Sequence, residues 1–275
     1  MFTKDAETKN VKNSEPEKPD ITITWIQTAL HWEDPSANLE MFGRKLKAVS
    51  GDADLIVLPE MFNTGFSMDA EKWAEGMDGP SVSWLRGAAA EKGCVITASL
   101  IIRDRGRYFN RLIWMRPDGS FVHYDKRHLF RMAGEHLRFS PGNQRVLAEL
   151  KGWRIRPLIC YDLRFPVWSR SLGDTDVLIF TANWPQPRRL AWNVLLPARA
   201  VENQCYVVGV NRVGKDGNGI PYSGDSAAYN AKGEAVHLSR PHAESVGTAV
   251  LSWSALHKFR REFQAGLDAD RFEVL

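Results

Sequence analysis

Short runs of apolar and β-branched residues alternate along the chain with amphipathic stretches. Each run is about four to eight residues long and is bounded by Gly, Pro, Asp or Asn, which is typical of a β-strand. Helices are predicted over Asn38–Val49, where apolar residues recur about every 3.6 positions, and over Ser81–Lys92 and Arg189–Asn203. The predicted strands are Ile21–Gln27, Leu55–Leu58, Val95–Ile102, Leu112–Met115, Phe121–Tyr124, Ile155–Cys160, Val177–Phe180, Tyr206–Asn211, Ser226–Tyr229 and Val246–Leu251.

Two turns show that some neighbouring strands are antiparallel. Residues 117–119 (PDG) join two strands in a predicted hairpin, and Gly214–Gly219 (GKDGNG) follows a strand without opening a helix. The second turn is therefore not a dinucleotide-binding loop. The pattern predicts one α/β domain over residues 21–275 with antiparallel pairs, preceded by a polar arm over residues 1–20.

The composition and charge of the chain argue against several classes of function. The chain has 275 residues, 44% hydrophobic and 25% charged, with a net charge of +3 and no dense basic tract, so neither nucleic acid nor an anionic membrane is an expected partner. No apolar run reaches the roughly 18 residues of a spanning helix, and the first twenty residues lack the apolar core of a secretory signal. We expect a cytoplasmic protein.

The three cysteines, Cys94, Cys160 and Cys205, are far apart and form no C-x-x-C pair, so no metal site is expected. Cys160 differs from the others because it comes directly at the end of an apolar strand. Two further strand predictions end in the same way: Glu60 follows Leu55–Leu58 and a proline, and Lys126 follows Phe121–Tyr124.

Each of these three residues alone has an ordinary structural explanation, as a buried thiol, a surface carboxylate or a turn lysine. Together they form the set that thiol chemistry on a carbonyl needs. Cys160 attacks, Lys126 lowers the thiol pKa and neutralises the oxyanion, and Glu60 moves the proton.

The segments around these residues resemble motifs of the nitrilase superfamily of carbon–nitrogen hydrolases. Residues 58–62 (LPEMF) are similar to its glutamate motif, residues 124–130 (YDKRHLF) to its lysine motif and residues 160–166 (CYDLRFP) to its cysteine motif. The resemblance implies a four-layer α-β-β-α sandwich, a homodimer or larger homo-oligomer, and neither a metal nor an organic cofactor. It also implies that Glu135 is a second glutamate beside the lysine and belongs to the catalytic set. There we expect it to orient Lys126 or the incoming amide and to keep the lysine charged.

The residues that follow Cys160 are similar to those of the omega-amidase branch. The same holds for residues 64–68 (TGFSM), 182–185 (ANWP) and 195–225. This resemblance implies hydrolysis of the terminal amide of 2-oxoglutaramate or 2-oxosuccinamate through a cysteine thioester. Another small-amide, carbamoyl or nitrile hydrolase is the nearest alternative, and a non-catalytic scaffold of the same fold is a more distant one.

A small 2-oxo acid amide would need an oxyanion site, apolar walls and a cation for its carboxylate. We expect Lys126 Nζ and the backbone N–H of Tyr161 to bind the oxyanion. Phe66 and Trp184 are the predicted walls. A guanidinium suits the far carboxylate, and the predicted candidates are Arg188 and Arg189, with Arg164 as a rival that could instead pair with Asp162.

Overall fold

The computed structural model describes residues 17–171, 173–270 and 272–273. The strands are β1 (Ile21–Gln27), β2 (Leu55–Val57), β3 (Val95–Asp104), β4 (Arg107–Met115), β5 (Phe121–Asp125), β6 (Ala148–Leu150), β7 (Trp153–Ile159), β8 (Val177–Ala182), β9 (Tyr206–Asn211), β10 (Val213–Lys215), β11 (Pro221–Ser223), β12 (Ala227–Tyr229), β13 (Ala235–Leu238) and β14 (Ser245–Leu251). The helices are α1 (Pro35–Lys47), α2 (Ala70–Trp73), α3 (Pro80–Lys92), α4 (Glu135–Arg138), α5 (Pro166–Ser169), α6 (Arg189–Asn203) and α7 (Trp253–Glu262).

These strands form two six-stranded sheets with the same internal plan. The first has the order β14-β1-β2-β3-β4-β5 and the second the order β13-β12-β9-β8-β7-β6, while β10 and β11 form a separate hairpin. In each sheet three central strands are parallel, β1-β2-β3 and β7-β8-β9, and the flanking strands are antiparallel. The antiparallel pairs predicted from the turns are present.

The apolar side chains of the two sheets divide between an inner and an outer face, because side chains alternate along each strand. Between the sheets pack Trp25, Val57, Ile155, Ile179 and Val208, among others. Burying a large apolar side chain in this way contributes about 1.5–3 kcal/mol. This layer is the centre of the protein.

Helices cover the two outer faces. Ile56 of the first sheet packs with Phe42 of α1 and Leu85 of α3, and Phe180 of the second sheet packs with Leu196 of α6. The order of layers is therefore helix, sheet, sheet, helix, which confirms the four-layer α-β-β-α sandwich.

The boundary between the N-terminal arm and the domain is less sharp than the polar composition of residues 1–20 suggests. Residues 1–16 of the predicted arm lie outside the described residues. Lys18 Nζ donates to the carbonyl of Gly152 at 2.6 Å, and the Asp20 carboxylate accepts the backbone N–H of Trp253 at 2.9 Å. The last residues of the arm are therefore bonded to the domain. Within the described part of the chain, no helix is long and apolar enough to cross a bilayer.

Candidate active site

Glu60, Lys126 and Cys160 each lie just beyond the end of a strand. Glu60 follows β2, Lys126 follows β5 and Cys160 follows β7. Cys160 has a φ of +42°, and Met61, the residue after Glu60, has a φ of +44°. This left-handed conformation costs a non-glycine residue roughly 1–2 kcal/mol, and it turns the chain sharply away from the sheet at both positions.

Lys126 and the two glutamates form a cluster that solvent does not reach. Lys126 Nζ lies 2.8 Å from Glu60 Oε1 and 3.0 Å from each carboxylate oxygen of Glu135. The side chains of all three residues are 0% exposed. Burial alone lowers the pKa of Lys126, but the charges of Glu135 and Glu60 outweigh it, so the pKa is raised and the ammonium stays charged.

Burial raises the pKa of Glu135, with the Lys126 charge acting in the opposite direction. The Phe130 backbone N–H also donates to this carboxylate. The sequence resemblance placed Glu135 beside the lysine, and the structure brings the two together.

Two asparagines that the sequence analysis missed complete the surroundings of Glu60. Asn110, in the middle of β4, donates its side-chain N–H to Glu60 Oε1 at 2.8 Å and lies 3.3 Å from Glu135 Oε1. The backbone N–H of Asn183 donates to Glu60 Oε2 at 2.8 Å. No motif signals Asn110, although a polar residue inside an apolar strand requires buried partners.

Cys160 is buried and lies close enough to Glu60 and Lys126 for both charges to act on its thiol. Burial and the Glu60 charge raise its pKa well above the usual range, while Lys126 lowers it by less. Lys126 thus acts to lower the thiol pKa, but desolvation by burial outweighs this effect.

One cavity of about 490 Å³ opens over this cluster. Lys126, Cys160 and Tyr161 form part of its lining. The predicted walls Phe66 and Trp184 both line it, and Lys126 Nζ lies 5.0 Å from the centre of the Phe66 ring.

The arginines separate into two groups. Arg188 and Arg164 line the cavity, stacked at 5.2 Å over Phe130 and at 5.1 Å over Trp184 respectively. Among the described residues, neither forms a salt bridge with a carboxylate. Arg189 does not line the cavity.

Arg189 instead pairs with Asp225 through two contacts of 2.8 and 2.7 Å. The suggested pair of Arg164 with Asp162 is absent from the described contacts, because Asp162 is bonded to Tyr124, His128 and Ile159.

The outer wall of the cavity comes from the β10–β11 hairpin and from Trp32. Asp216, Ile220 and Tyr222 of the hairpin line the cavity, as does Trp32. Gly217, at the hairpin turn, lies so close to the Trp32 indole that an added Cβ would be 2.3 Å from Cδ1. The two segments are in direct contact at the mouth.

This fold and cluster define a class of enzyme, the carbon–nitrogen hydrolases. The carbon–nitrogen hydrolase family profile matches residues 22–261, and the chain belongs to this family of the nitrilase superfamily. The chain is a hydrolase that acts on carbon–nitrogen bonds.

Individual relatives indicate which carbon–nitrogen hydrolases the chain is similar to. The chain is 47% identical to omega-amidase YafV of Escherichia coli (strain K12) over 93% of its own length and 99% of that protein. It is 35% identical to 2-oxoglutaramate amidase of Bacillus subtilis (strain 168), over 71% of this chain and 77% of that one. Among solved structures, it matches XC1258 from Xanthomonas campestris, a CN-hydrolase superfamily protein with an arsenic adduct in the active site. That match has a TM-score of 0.91 and 46% identity, and covers 94% of this chain and 100% of the other.

Proposed function

We propose that this protein is an omega-amidase that hydrolyses the terminal amide of 2-oxoglutaramate and 2-oxosuccinamate, with Cys160 as nucleophile. The observation that carries the proposal is the buried 2.8 Å contact between Lys126 and Glu60 beside a small cavity that Lys126 and Cys160 both line. The relationship to omega-amidase YafV and to the 2-oxoglutaramate amidase supports the substrate class.

In the first half of the reaction, Glu60 accepts the Cys160 proton while sulfur attacks the amide carbon. Lys126 has three N–H groups. One donates to Glu60 and a second is shared between the oxygens of Glu135, which leaves the third for the developing oxyanion, together with the Tyr161 backbone N–H. Such donors typically contribute about 3–4 kcal/mol each to acyl transfer. Glu60 then protonates the amide nitrogen, the C–N bond breaks, ammonia leaves and a thioester remains.

In the second half, water attacks the thioester and gives a proton to Glu60. The C–S bond breaks, the carboxylic acid is released, and Glu60 returns a proton to the Cys160 sulfur. The high pKa of the thiol suits this cycle, because a protonated sulfur is restored at the end of each turnover. Glu135 keeps Lys126 charged and oriented without contacting the reacting atoms.

A 2-oxo acid amide carries a carboxylate at the end opposite to the amide. We propose that Arg164 and Arg188 bind this carboxylate, since both line the cavity and neither is neutralised by a carboxylate within the described chain. Phe66 and Trp184 hold the short carbon chain between them.

The proposal is tested by ammonia release from a panel of substrates. Purified protein is given 2-oxoglutaramate, glutamine, a nitrile and an N-carbamoyl amino acid, and kcat/KM is measured for each. We expect 2-oxoglutaramate to be preferred by at least about tenfold. Glutamine places an ammonium near Arg164 and Arg188 where 2-oxoglutaramate has a neutral oxo group, and the nitrile and the carbamoyl compound present a different group to Cys160. Preference for the nitrile or the carbamoyl compound would replace omega-amidase by one of those activities.

Cysteine variants identify the nucleophile. Cys160→Ala should abolish ammonia release, whereas Cys205→Ala, which changes a thiol buried in the core beneath α6, should retain it. Circular dichroism shows whether each variant is folded. Full activity of folded Cys160→Ala would remove the assignment.

We also propose that two copies associate through the outer face of α6. Leu190, Val194 and Val201 are 77%, 54% and 53% exposed on this helix, which is more apolar surface than a solvent-facing helix normally presents. A second copy seated there would bury this surface and extend the layers of the sandwich. Light scattering should give a dimer for the wild type, a monomer for Val194→Asp and a dimer for Val250→Asp on β14. A monomeric wild type would contradict it.

A further inference from the structure

We propose that Asp162 is a positioning residue that fixes the segment carrying Lys126 against the segment carrying Cys160. Its side chain is fully buried. It does not line the cavity and therefore does not touch a substrate. The proposal rests on the proposed function, because it assigns a role in the reaction of Lys126 and Cys160.

Every described hydrogen bond of the Asp162 carboxylate goes to one of these two segments. Oδ2 accepts the Tyr124 hydroxyl at 2.7 Å and the Ile159 backbone N–H at 3.1 Å. Oδ1 accepts the His128 backbone N–H at 3.0 Å and lies 2.8 Å from His128 Nδ1. The Asp162 carboxylate thus has hydrogen-bond partners in both the segment that carries Lys126 and the segment that carries Cys160.

The partners flank the reactive residues closely in sequence. Tyr124 and His128 lie two positions before and two positions after Lys126, and Ile159 immediately precedes Cys160. Lys126 follows a strand of the first sheet and Cys160 a strand of the second. Asp162 therefore links the two sheets at the point where the ammonium and the thiol must keep their separation.

The left-handed conformation of Cys160 makes this link more important. A strained residue keeps its conformation only where its surroundings fix it. Asp162 reaches back across Cys160 to the Ile159 N–H, so it closes the turn in which Cys160 has its φ of +42°. Without that bond the turn is free to relax, and the sulfur moves relative to Glu60.

The Tyr124 hydroxyl shows why an aspartate is needed. This oxygen accepts N–H groups from Trp168 Nε1 at 2.9 Å and from the Arg127 backbone at 3.2 Å, so its own proton is directed to Asp162. Both carboxylate oxygens of Asp162 therefore act as acceptors. Asparagine keeps the shape but offers one oxygen in place of two, and at least one of the two segments loses its bond.

The experiment compares Asp162→Asn with Asp176→Asn. Asp176 is an equally buried carboxylate, bonded to Arg154 and Arg260 at the opposite end of the second sheet, before β8. For Asp162→Asn we expect kcat for 2-oxoglutaramate to fall about 10- to 100-fold with KM within about twofold, since small misplacements at a reacting centre have effects of that size. Asp176→Asn should lower Tm and leave kcat unchanged.

A second measurement does not depend on amidase activity. Alkylation of Cys160 by iodoacetamide at pH 7 also requires proton removal from the sulfur, so Asp162→Asn should slow it by at least about fivefold. Asp176→Asn should not slow it. If the wild type releases no ammonia from any amide, the proposed function fails, and this alkylation rate still decides whether Asp162 positions the sulfur.

Tyr124→Phe covers the case in which Asp162→Asn does not fold, because it removes a single hydroxyl from the same link. We expect this variant to fold, with kcat lowered about threefold to tenfold and KM unchanged, which corresponds to one lost hydrogen bond. The proposal is overturned if the folded variants at positions 162 and 124 keep wild-type kcat and wild-type Cys160 alkylation while Tm falls. Asp162 would then have only a structural role.

Discussion

Asn110 and Glu60 form a 2.8 Å hydrogen bond that lies entirely inside the protein and links the middle of β4 to the end of β2. The same Asn110 side chain lies 3.3 Å from Glu135 Oε1, and the Asn110 carbonyl accepts the Lys126 backbone N–H at 3.0 Å. Asn110 thus contacts both carboxylates through its side-chain amide and the segment that carries the ammonium through its backbone carbonyl.

Asn110→Asp should therefore damage catalysis without changing the size of any side chain. The new carboxylate replaces a donor by an acceptor and places a third negative charge beside Glu60 and Glu135. Glu60 loses the Asn110 N–H donor and gains a repelling neighbour, so kcat/KM for 2-oxoglutaramate should fall by about tenfold or more. Asn230→Asp, on a turn at a half-buried position that does not line the cavity, is the control. Wild-type kcat/KM in folded Asn110→Asp would show that the Asn110–Glu60 hydrogen bond has no part in the reaction.

The pKa of Cys160 gives a prediction about its alkylation. Burial and the Glu60 charge raise this pKa, so the thiolate fraction at pH 7 is small and should grow as pH rises. The rate of alkylation by iodoacetamide, followed by mass spectrometry of the Cys160 peptide, should increase through pH 9 without a plateau. Cys94 and Cys205 should react later, because both are buried and neither lines the cavity through which the reagent reaches Cys160.

Variants of two lysines test whether Lys126 lowers the pKa of Cys160. Lys126 lowers the Cys160 pKa, so Lys126→Met should raise it further and slow alkylation at pH 8. Lys92→Met, which lies near Cys94 instead, should leave the Cys160 rate unchanged. A rate that is already constant at pH 7 in the wild type would mean that the resting sulfur is ionised.

The elements that the sequence predicted correctly are those whose signal is local. β1, β9 and α6 have the predicted bounds, because each is a run with a clear period and clear ends. The three-residue strands β6, β10 and β11 were not predicted. They are too short to show a period, and pairing across a turn, β6 with β7 and β10 with β11, determines them more than local propensity does.

The same distinction holds for the site. Glu60, Lys126 and Cys160 follow recognisable strands, and the structure brings them together. Asn110 has no such signal, since its importance depends on two carboxylates contributed by other segments. Arg189 directly follows Arg188 in sequence, yet its guanidinium pairs with Asp225, 36 positions away. Side-chain direction at the start of α6 decides between the two arginines, and sequence spacing does not reveal it.

The arginines that line the cavity should affect KM for charged substrates. Arg164→Leu and Arg188→Leu should each raise KM for 2-oxoglutaramate about 10- to 100-fold, because a hydrogen bond to a charged group contributes roughly 1.5–3 kcal/mol. KM for pentanamide, which has no carboxylate, should change little. Arg189→Leu is the matched control and should leave both constants near wild type. Equal KM increases for both amides would mean that these arginines shape the cavity and do not pair with a carboxylate.

The contact between Gly217 and Trp32 should control the mouth of the cavity. The Cβ of Gly217→Ala would lie 2.3 Å from Trp32 Cδ1 and Nε1, so either the hairpin or the indole must move. Both segments line the cavity, and we therefore expect KM for 2-oxoglutaramate to rise at least about threefold, a modest loss of packing in free-energy terms.

Gly219→Ala, in the same turn, separates displacement from general destabilisation. Gly219 has a φ of +75° and open space around its hypothetical Cβ, so alanine there is strained by about 1 kcal/mol without touching Trp32. This variant should lower Tm and keep the wild-type KM, while Gly217→Ala raises KM. If both variants lower Tm and neither changes KM, the hairpin turn stabilises the fold without setting the entrance for the substrate.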